Sequence, residues 1–160
     1  MPYLLTTRTV IPRPLPEVFA FFAEAANLDR ITPPWLRFRI ETPMPIALAP
    51  GTTIDYRLRL NGIPVRWRTE ITEWNPPYGF VDEQRRGPYR WWIHAHRFRP
   101  HEEGTEIEDE VDYSPRGGAL IHALFVAPRL RRIFRYRDAA IRDALGVPPA
   151  PPPVVSICRR

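Results

Sequence analysis

At 160 residues, with 44% hydrophobic and 26% charged content, the chain is long enough for the core of one domain and too apolar for general disorder. No apolar run approaches the roughly 18–20 residues of a membrane span, and the opening MPYLLTTRTVIPRP is too polar for a secretory signal. A net charge of +5, carried by arginine alone among the basic residues, resembles a compositional bias more than a binding device. The single cysteine, Cys158, has no intramolecular partner, and a cytoplasmic protein is expected.

Tyr3–Val10 has the pattern of a strand. Pro14 and Pro16 suit a first helical turn, with Val18, Phe19 and Phe22 as the apolar stripe behind them. A short second helix is predicted over Ala25–Ile31, stopped by Pro33-Pro34. From residue 36 the period changes to two. Strands are predicted at Leu36–Glu41, Thr52–Leu60, Ile63–Glu73, Tyr78–Arg85, Tyr89–Arg99 and Thr105–Tyr113, separated by turn signals at Asn61-Gly62, Asn75-Pro76-Pro77, Gly87-Pro88 and Gly104. Gly118–Leu145 is helical in spacing, with Leu120, Leu124, Leu130, Ile133, Phe134, Ile141 and Leu145 on its apolar face and Pro128 expected to kink or split it. The arginines at 129, 131, 132, 135, 137 and 142 read as a solvated face, interrupted by Asp138 and Asp143, and no nucleic acid is expected. Residues 147–160 (VPPAPPPVVSICRR) read as a disordered proline-rich tail, which leaves 1–146 as the folded domain.

A strand, two helices, six strands and a long helix, together with NLDRITPPWL at 27–36, GPYRWWIHAHRF at 87–98 and DEVDYSPRGG at 109–118, resemble the START/Bet v 1-like (SRPBCC) proteins. The likeness is to uncharacterised bacterial ligand-binding and polyketide-cyclase-like members. The resemblance implies an α+β helix-grip fold, a curved antiparallel sheet (β-α-α-β6-α) wrapped on a long C-terminal helix with a pocket between them. It covers nearly the whole folded part and is specific for fold rather than function.

Register arithmetic indicates which residues face inward. A two-residue Asn61-Gly62 loop pairs Leu60 with Ile63, Leu58 with Val65 and Tyr56 with Trp67. A four-residue loop at Trp74–Pro77 sets Ile71 opposite Phe80, Thr69 opposite Asp82 and Trp67 opposite Gln84. A loop at His101–Gly104 sets Phe98 opposite Ile107, His96 opposite Asp109 and His94 opposite Val111. Placing Gln84 and His94 on one face needs a three-residue turn at Arg86–Pro88 or a bulge. The interior then holds a polar stripe of Asp82, Gln84, His94, His96 and Asp109, alongside Trp92 and Tyr113. Such groups are costly to bury unless they partner one another or meet a ligand's oxygen atoms. In an antiparallel meander alternate turns share an end, so Asn61-Gly62, Gly87-Pro88 and Ser114–Gly118 are expected at one mouth.

The leading expectation is a monomer or weak homodimer that binds or transfers a small hydrophobic molecule, aromatic or lipid-like. The second is a cyclase/dehydratase-type enzyme with His96 and Asp109 as acid–base pair and His94 or Gln84 holding a carbonyl. The third is an interaction module built from the tail and the arginine-rich helix. His94 and His96 point the same way and Asp109 or Asp82 could join them, but spacing fixes no third ligand, so neither metal nor other cofactor is expected. Cys158, Ser114 and Ser156 lack the neighbours a nucleophile needs.

Overall fold

The edge-to-edge order of the strands follows the chain from β2 to β7, then returns to its beginning and end. The computed structural model describes residues 1–160. One sheet runs β2-β3-β4-β5-β6-β7-β1-β8, antiparallel throughout: β1 (Tyr3–Ile11), β2 (Arg39–Ile40), β3 (Thr53–Leu60), β4 (Ile63–Asn75), β5 (Gly79–Arg86), β6 (Trp91–His101), β7 (Gly104–Ser114) and β8 (Ser156–Arg159). α1 (Leu15–Ala23) and α2 (Asn27–Ile31) follow β1. After β7 a helical run starts with α3 (Gly118–Ile121), passes through a π turn at His122–Val126 and continues as α4 (Ala127–Ala144). No helix is long and apolar enough to cross a membrane.

Local chemistry accounts for most of these elements. α1 starts from extended Pro14, with a proline in its first turn, and buries Val18, Phe19, Phe21 and Phe22. The amide of Asn27 donates to Phe21 O at 2.9 Å and ties α2 to the end of α1. At Asn61 and Gly62 both φ angles are positive, 52° and 80°. That is the two-residue turn matching strand twist, and it fixes Leu60↔Ile63, Leu58↔Val65 and Tyr56↔Trp67 as read from sequence. The β6–β7 register is also as read, with Phe98↔Ile107, His96↔Asp109 and His94↔Val111. It runs on to His101↔Gly104, so the loop is Glu102-Glu103 alone.

Elsewhere the structure corrects the sequence reading. The strand expected at Leu36–Glu41 shrinks to Arg39–Ile40, because Pro34–Leu36 form one tight 3-10 turn closed by left-handed Arg37. The β4–β5 pairing is Asn75↔Gly79 and Trp74↔Phe80 near the turn, then Ile71↔Asp82 and Thr69↔Gln84, not the expected Ile71–Phe80 and Thr69–Asp82. The tighter turn alone would turn one strand inside out. An irregularity between Ile71 and Glu73 adds a residue to β4 and restores the alternation. The expected disordered tail is ordered at its end: Thr6↔Ser156, Leu5↔Ile157, Leu4↔Cys158 and Tyr3↔Arg159 pair, and Val155 is buried. The prolines at 148–153 lack donors for a ladder, but the β-branched residues after them do not.

The long helix is interrupted, as Pro128 suggested, but through a π turn before the proline, which sits in the first turn of α4. A π turn carries an extra residue and so delays the rotation of the preceding turns. Leu120 and Leu124, expected inward, are therefore exposed, while His122 and Val126 are buried. Leu130, Phe134 and Ile141 face the sheet as expected. Asp138 and Arg142 leave the solvated face assigned to them. Both are buried, with Arg142 donating to Asp138 at 3.1 Å, Thr9 Oγ1 at 2.9 Å and Val10 O at 2.8 Å, which ties α4 to β1.

Under α4 the buried apolar residues fall into two clusters. One gathers Trp67, Trp92, Val111, Tyr113, Leu130 and Phe134; the other gathers Phe22, Ile71, Phe80, Phe98, Ile107 and Ile141. The boundary runs through Thr69 on β4, His94 and His96 on β6 and Asp109 on β7, between apolar neighbours on each strand.

Candidate functional site

That boundary borders a cavity of about 210 Å³ between the concave sheet face, α2 and α4. Of its 29 lining residues 20 are hydrophobic, which makes it a site for apolar matter with few polar fixtures. Tyr56 and Trp67 stack at 5.8 Å between ring centroids, and Trp92 meets Trp67 edge-on at 5.6 Å. Leu130, Ile133 and Phe134 line the cavity from α4, and Phe22, Ile31 and Leu36 line it from α1, α2 and the 3-10 turn.

Of the residues expected in the pocket, Tyr56, Leu58, Trp67, Thr69, Phe80, Asp82, Trp92, His94 and His96 line it. Gln84, Phe98, Asp109, Val111 and Tyr113 do not, and each has a structural occupation. Gln84 clamps the β5–β6 turn, donating to Tyr89 O at 3.0 Å and accepting from Tyr89 N at 3.2 Å. Phe98 is sealed among Phe19, Phe22 and Phe80. Val111 is fully buried, as is Tyr113, whose hydroxyl lies 2.8 Å from His122 Nε2. Asp109 lies behind the two imidazoles and organises them. Sequence reasoning missed Arg129 and Arg137, which line the cavity from α4. The signal for Arg137 was its spacing: it falls on the same helical face as the buried Leu130, Phe134 and Ile141.

His96 and Asp109 are cross-strand neighbours facing inward, as expected, with His96 Nδ1 3.1 Å from Asp109 Oδ1. The shorter contacts are crossed: His94 Nε2 to Asp109 Oδ1 at 2.8 Å, and His96 Nε2 to Asp82 Oδ2 at 2.8 Å. The hydroxyls of Thr7 and Thr69 donate to Asp109 and Asp82 at 3.3 and 3.1 Å. Arg137 Nη2 stands 4.0 Å from Asp109 Oδ1 and 3.5 Å from His96 Nδ1.

These contacts separate the two histidines chemically. Burial disfavours the charge on His96, but hydrogen bonds and charge from Asp109 and Asp82 outweigh it and raise its pKa. Burial together with the His96 charge lowers that of His94, against the pull of Asp109. Burial alone would raise both carboxyls. Arg137 and the two histidines instead hold Asp109 well below the usual range, and the bond from His96 with the charges of both histidines keeps Asp82 low. Protonation of His96 alone would set two cations, His96 and Arg137, against two anions and balance the stripe. Asp82, His94 and His96 also present donor atoms within 4.8 Å of one another, a spread that suits a cation's ligands. His96 Nε2 already bonds to Asp82 and His94 Nε2 to Asp109.

A surface groove lies at the end where the sequence reading expected a mouth. Asn61, Pro88 and Pro115 from the three turns line it with Ile121 and Phe125, and Leu60, Tyr89 and Arg129 border both groove and cavity.

No curated protein matches the chain in sequence. Solved structures match its fold over most of their length. Protein CV1439 from Chromobacterium violaceum matches with TM-score 0.71 at 13% identity, over 91% of this chain and 99% of that one. Protein Ms6760 from Mycobacterium smegmatis gives 0.67 at 17%, over 89% and 90%. Ara h 8.0201, a Bet v 1 homologue, gives 0.62 at 14%, over 89% and 99%, and identifies the arrangement as the helix-grip fold. The family model described as polyketide cyclase / dehydrase and lipid transport matches residues 11–142. Sheet, helix and cavity thus agree with the sequence match, and the chain belongs to the polyketide cyclase/dehydrase and lipid transport family.

Proposed function

We propose that the protein binds a small apolar molecule, aromatic or lipid-like, that carries oxygen acceptors. The family and fold support hydrophobic ligand binding in general, and one observation carries the finer reading. The buried side-chain polar atoms of the cavity wall that lack a partner are all N–H donors: Trp67 Nε1, Arg129 Nε and Arg137 Nε. An unmet buried donor costs about 1–3 kcal/mol, so a ligand with carbonyl, carboxyl or phenolic oxygens gains from each one it meets. A cavity of about 210 Å³ is below the roughly 300–1,000 Å³ of drug-sized sites, which favours a compact ligand.

The test is uptake of an apolar fluorescent probe. Trp67→Ala and Trp92→Ala should weaken it about tenfold or more, the order expected for a lost aromatic contact. Ile133→Trp, which fills the cavity from α4, should block uptake with the melting temperature kept. Unchanged uptake in all three folded variants would put binding elsewhere.

A second reading, proton-transfer catalysis of the cyclase/dehydratase kind, is favoured by the state of His94. Its Nε2–H donates to Asp109, which leaves Nδ1 as the basic nitrogen of a neutral imidazole on the cavity wall. His96, with a carboxylate at each nitrogen, is the poorer base. In this reading His94→Gln abolishes turnover of a bound polyketide-like substrate and keeps its affinity. Turnover that survives His94→Gln would refute it.

A further inference from the structure

We infer that the groove end of the molecule docks on an anionic lipid bilayer. The proposal stands apart from the ligand reading, since it rests on the outer surface. Around the groove large apolar side chains stand in solvent: Leu120 is 70% exposed, Leu124 58% and Phe125 52%, and Ile63 at the β3–β4 tip is 66% exposed. They do not arise from a poorly covered core. The π turn rotates Leu120 and Leu124 outward while His122 and Val126 fill the interior, so the helix presents a second, outward apolar face.

Charge identifies the occupant. Asp112, near the end of β7, is bonded by Trp91 Nε1 and Arg160; the segments that reach this end, residues 57–67, 86–94 and 113–137, contain no aspartate or glutamate. They carry Arg59, Arg86, Arg90, Arg116, Arg131 and Arg132. The sheet's ion pairs that hold arginines to carboxylates, such as Arg8–Glu108, Arg68–Asp55, Arg85–Glu70 and Arg99–Glu106, draw their carboxylates from outside those segments. The β6–β7 turn, which antiparallel order places at the opposite end, is Glu102-Glu103. One pole is therefore apolar and arginine-rich and the other acidic. An apolar face ringed by cations matches the headgroup boundary of an anionic membrane, where side chains such as leucine and phenylalanine insert and each arginine adds attraction. A neutral protein partner would leave those arginines unmet.

The experiment is co-sedimentation of the full chain with phosphatidylcholine vesicles, with and without 30% phosphatidylglycerol. Binding is expected only to the anionic vesicles and should weaken as salt rises. Leu120→Ser with Leu124→Ser should reduce it at least about tenfold, and so should Arg131→Glu with Arg132→Glu. All four positions lie outside the cavity wall, so probe uptake and melting temperature should stay near wild type. Absence of binding to anionic vesicles, or binding unchanged in the serine double variant, would overturn the proposal. So would analytical ultracentrifugation showing a dimer that the same variant dissolves, which would assign the face to a second copy of this chain.

Discussion

His94 and His96 sit on one strand with tilted rings whose centroids are 3.7 Å apart, yet they depend on pH in opposite directions. His96 has a raised pKa, so its contribution to stability is full below the unfolded value of about 6.5 and is lost as pH rises through the folded value. His94 has a lowered pKa, so its contribution is full above about 6.5 and is lost as pH falls. Nitrogen-detected NMR titration should show His96 still cationic above pH 6.5 and His94 still neutral below it. Two histidines that titrate together would contradict the crossed pairing. Denaturant unfolding at rising pH should show a loss of stability that His96→Gln removes. Asp109 touches both imidazoles and Arg137, and Asp109→Ala leaves buried cations unmet, at about 3–5 kcal/mol. The part of the polar stripe formed by His94, His96 and Asp109 was legible in sequence because strand alternation and the β6–β7 register fix it. Arg129, Arg137 and Arg142 were not, because an arginine-rich helix disguises the arginines that turn inward.

At the scale of elements, the registers of the hairpins closed by Asn61-Gly62 and Gly104 could be read from sequence, since a positive φ leaves few choices there, although the second loop has two residues rather than the four expected. The β4–β5 pairing could not, since an irregularity depends on how the sheet curves rather than on any local residue. The tail misled for a related reason: its prolines dominate the composition, while the residues that matter follow them. Val155 is 5% exposed among Tyr3 and Leu5, and Ile157 lies opposite Leu5. Burying one such side chain contributes about 1.5–3 kcal/mol, so deletion of 154–160 should lower the melting temperature by about 5 °C or more in a domain of this size. An unchanged melting curve would mean that β8 adds nothing to the sheet.

For the whole molecule, the order of strands and helices was enough to indicate a sheet gripping a helix, because a one-sided antiparallel sheet needs a single large cover. The cavity's size and its donor-rich wall were not, since both arise from how side chains on separate elements meet. The sheet order has a further consequence in time. β1 is made first, but its neighbours are β7 and β8, with Tyr3 paired to Tyr113 on one side and Arg159 on the other. At roughly 5–20 residues per second of synthesis, an alternating strand about a hundred residues ahead of its first partner waits on the order of ten seconds with both edges open. Such distant pairing makes for slow closure. During that interval Leu5 and Ile11, fully buried in the finished sheet, are available to other chains, so yield in the cell should depend on chaperone capacity more steeply than equilibrium stability would suggest.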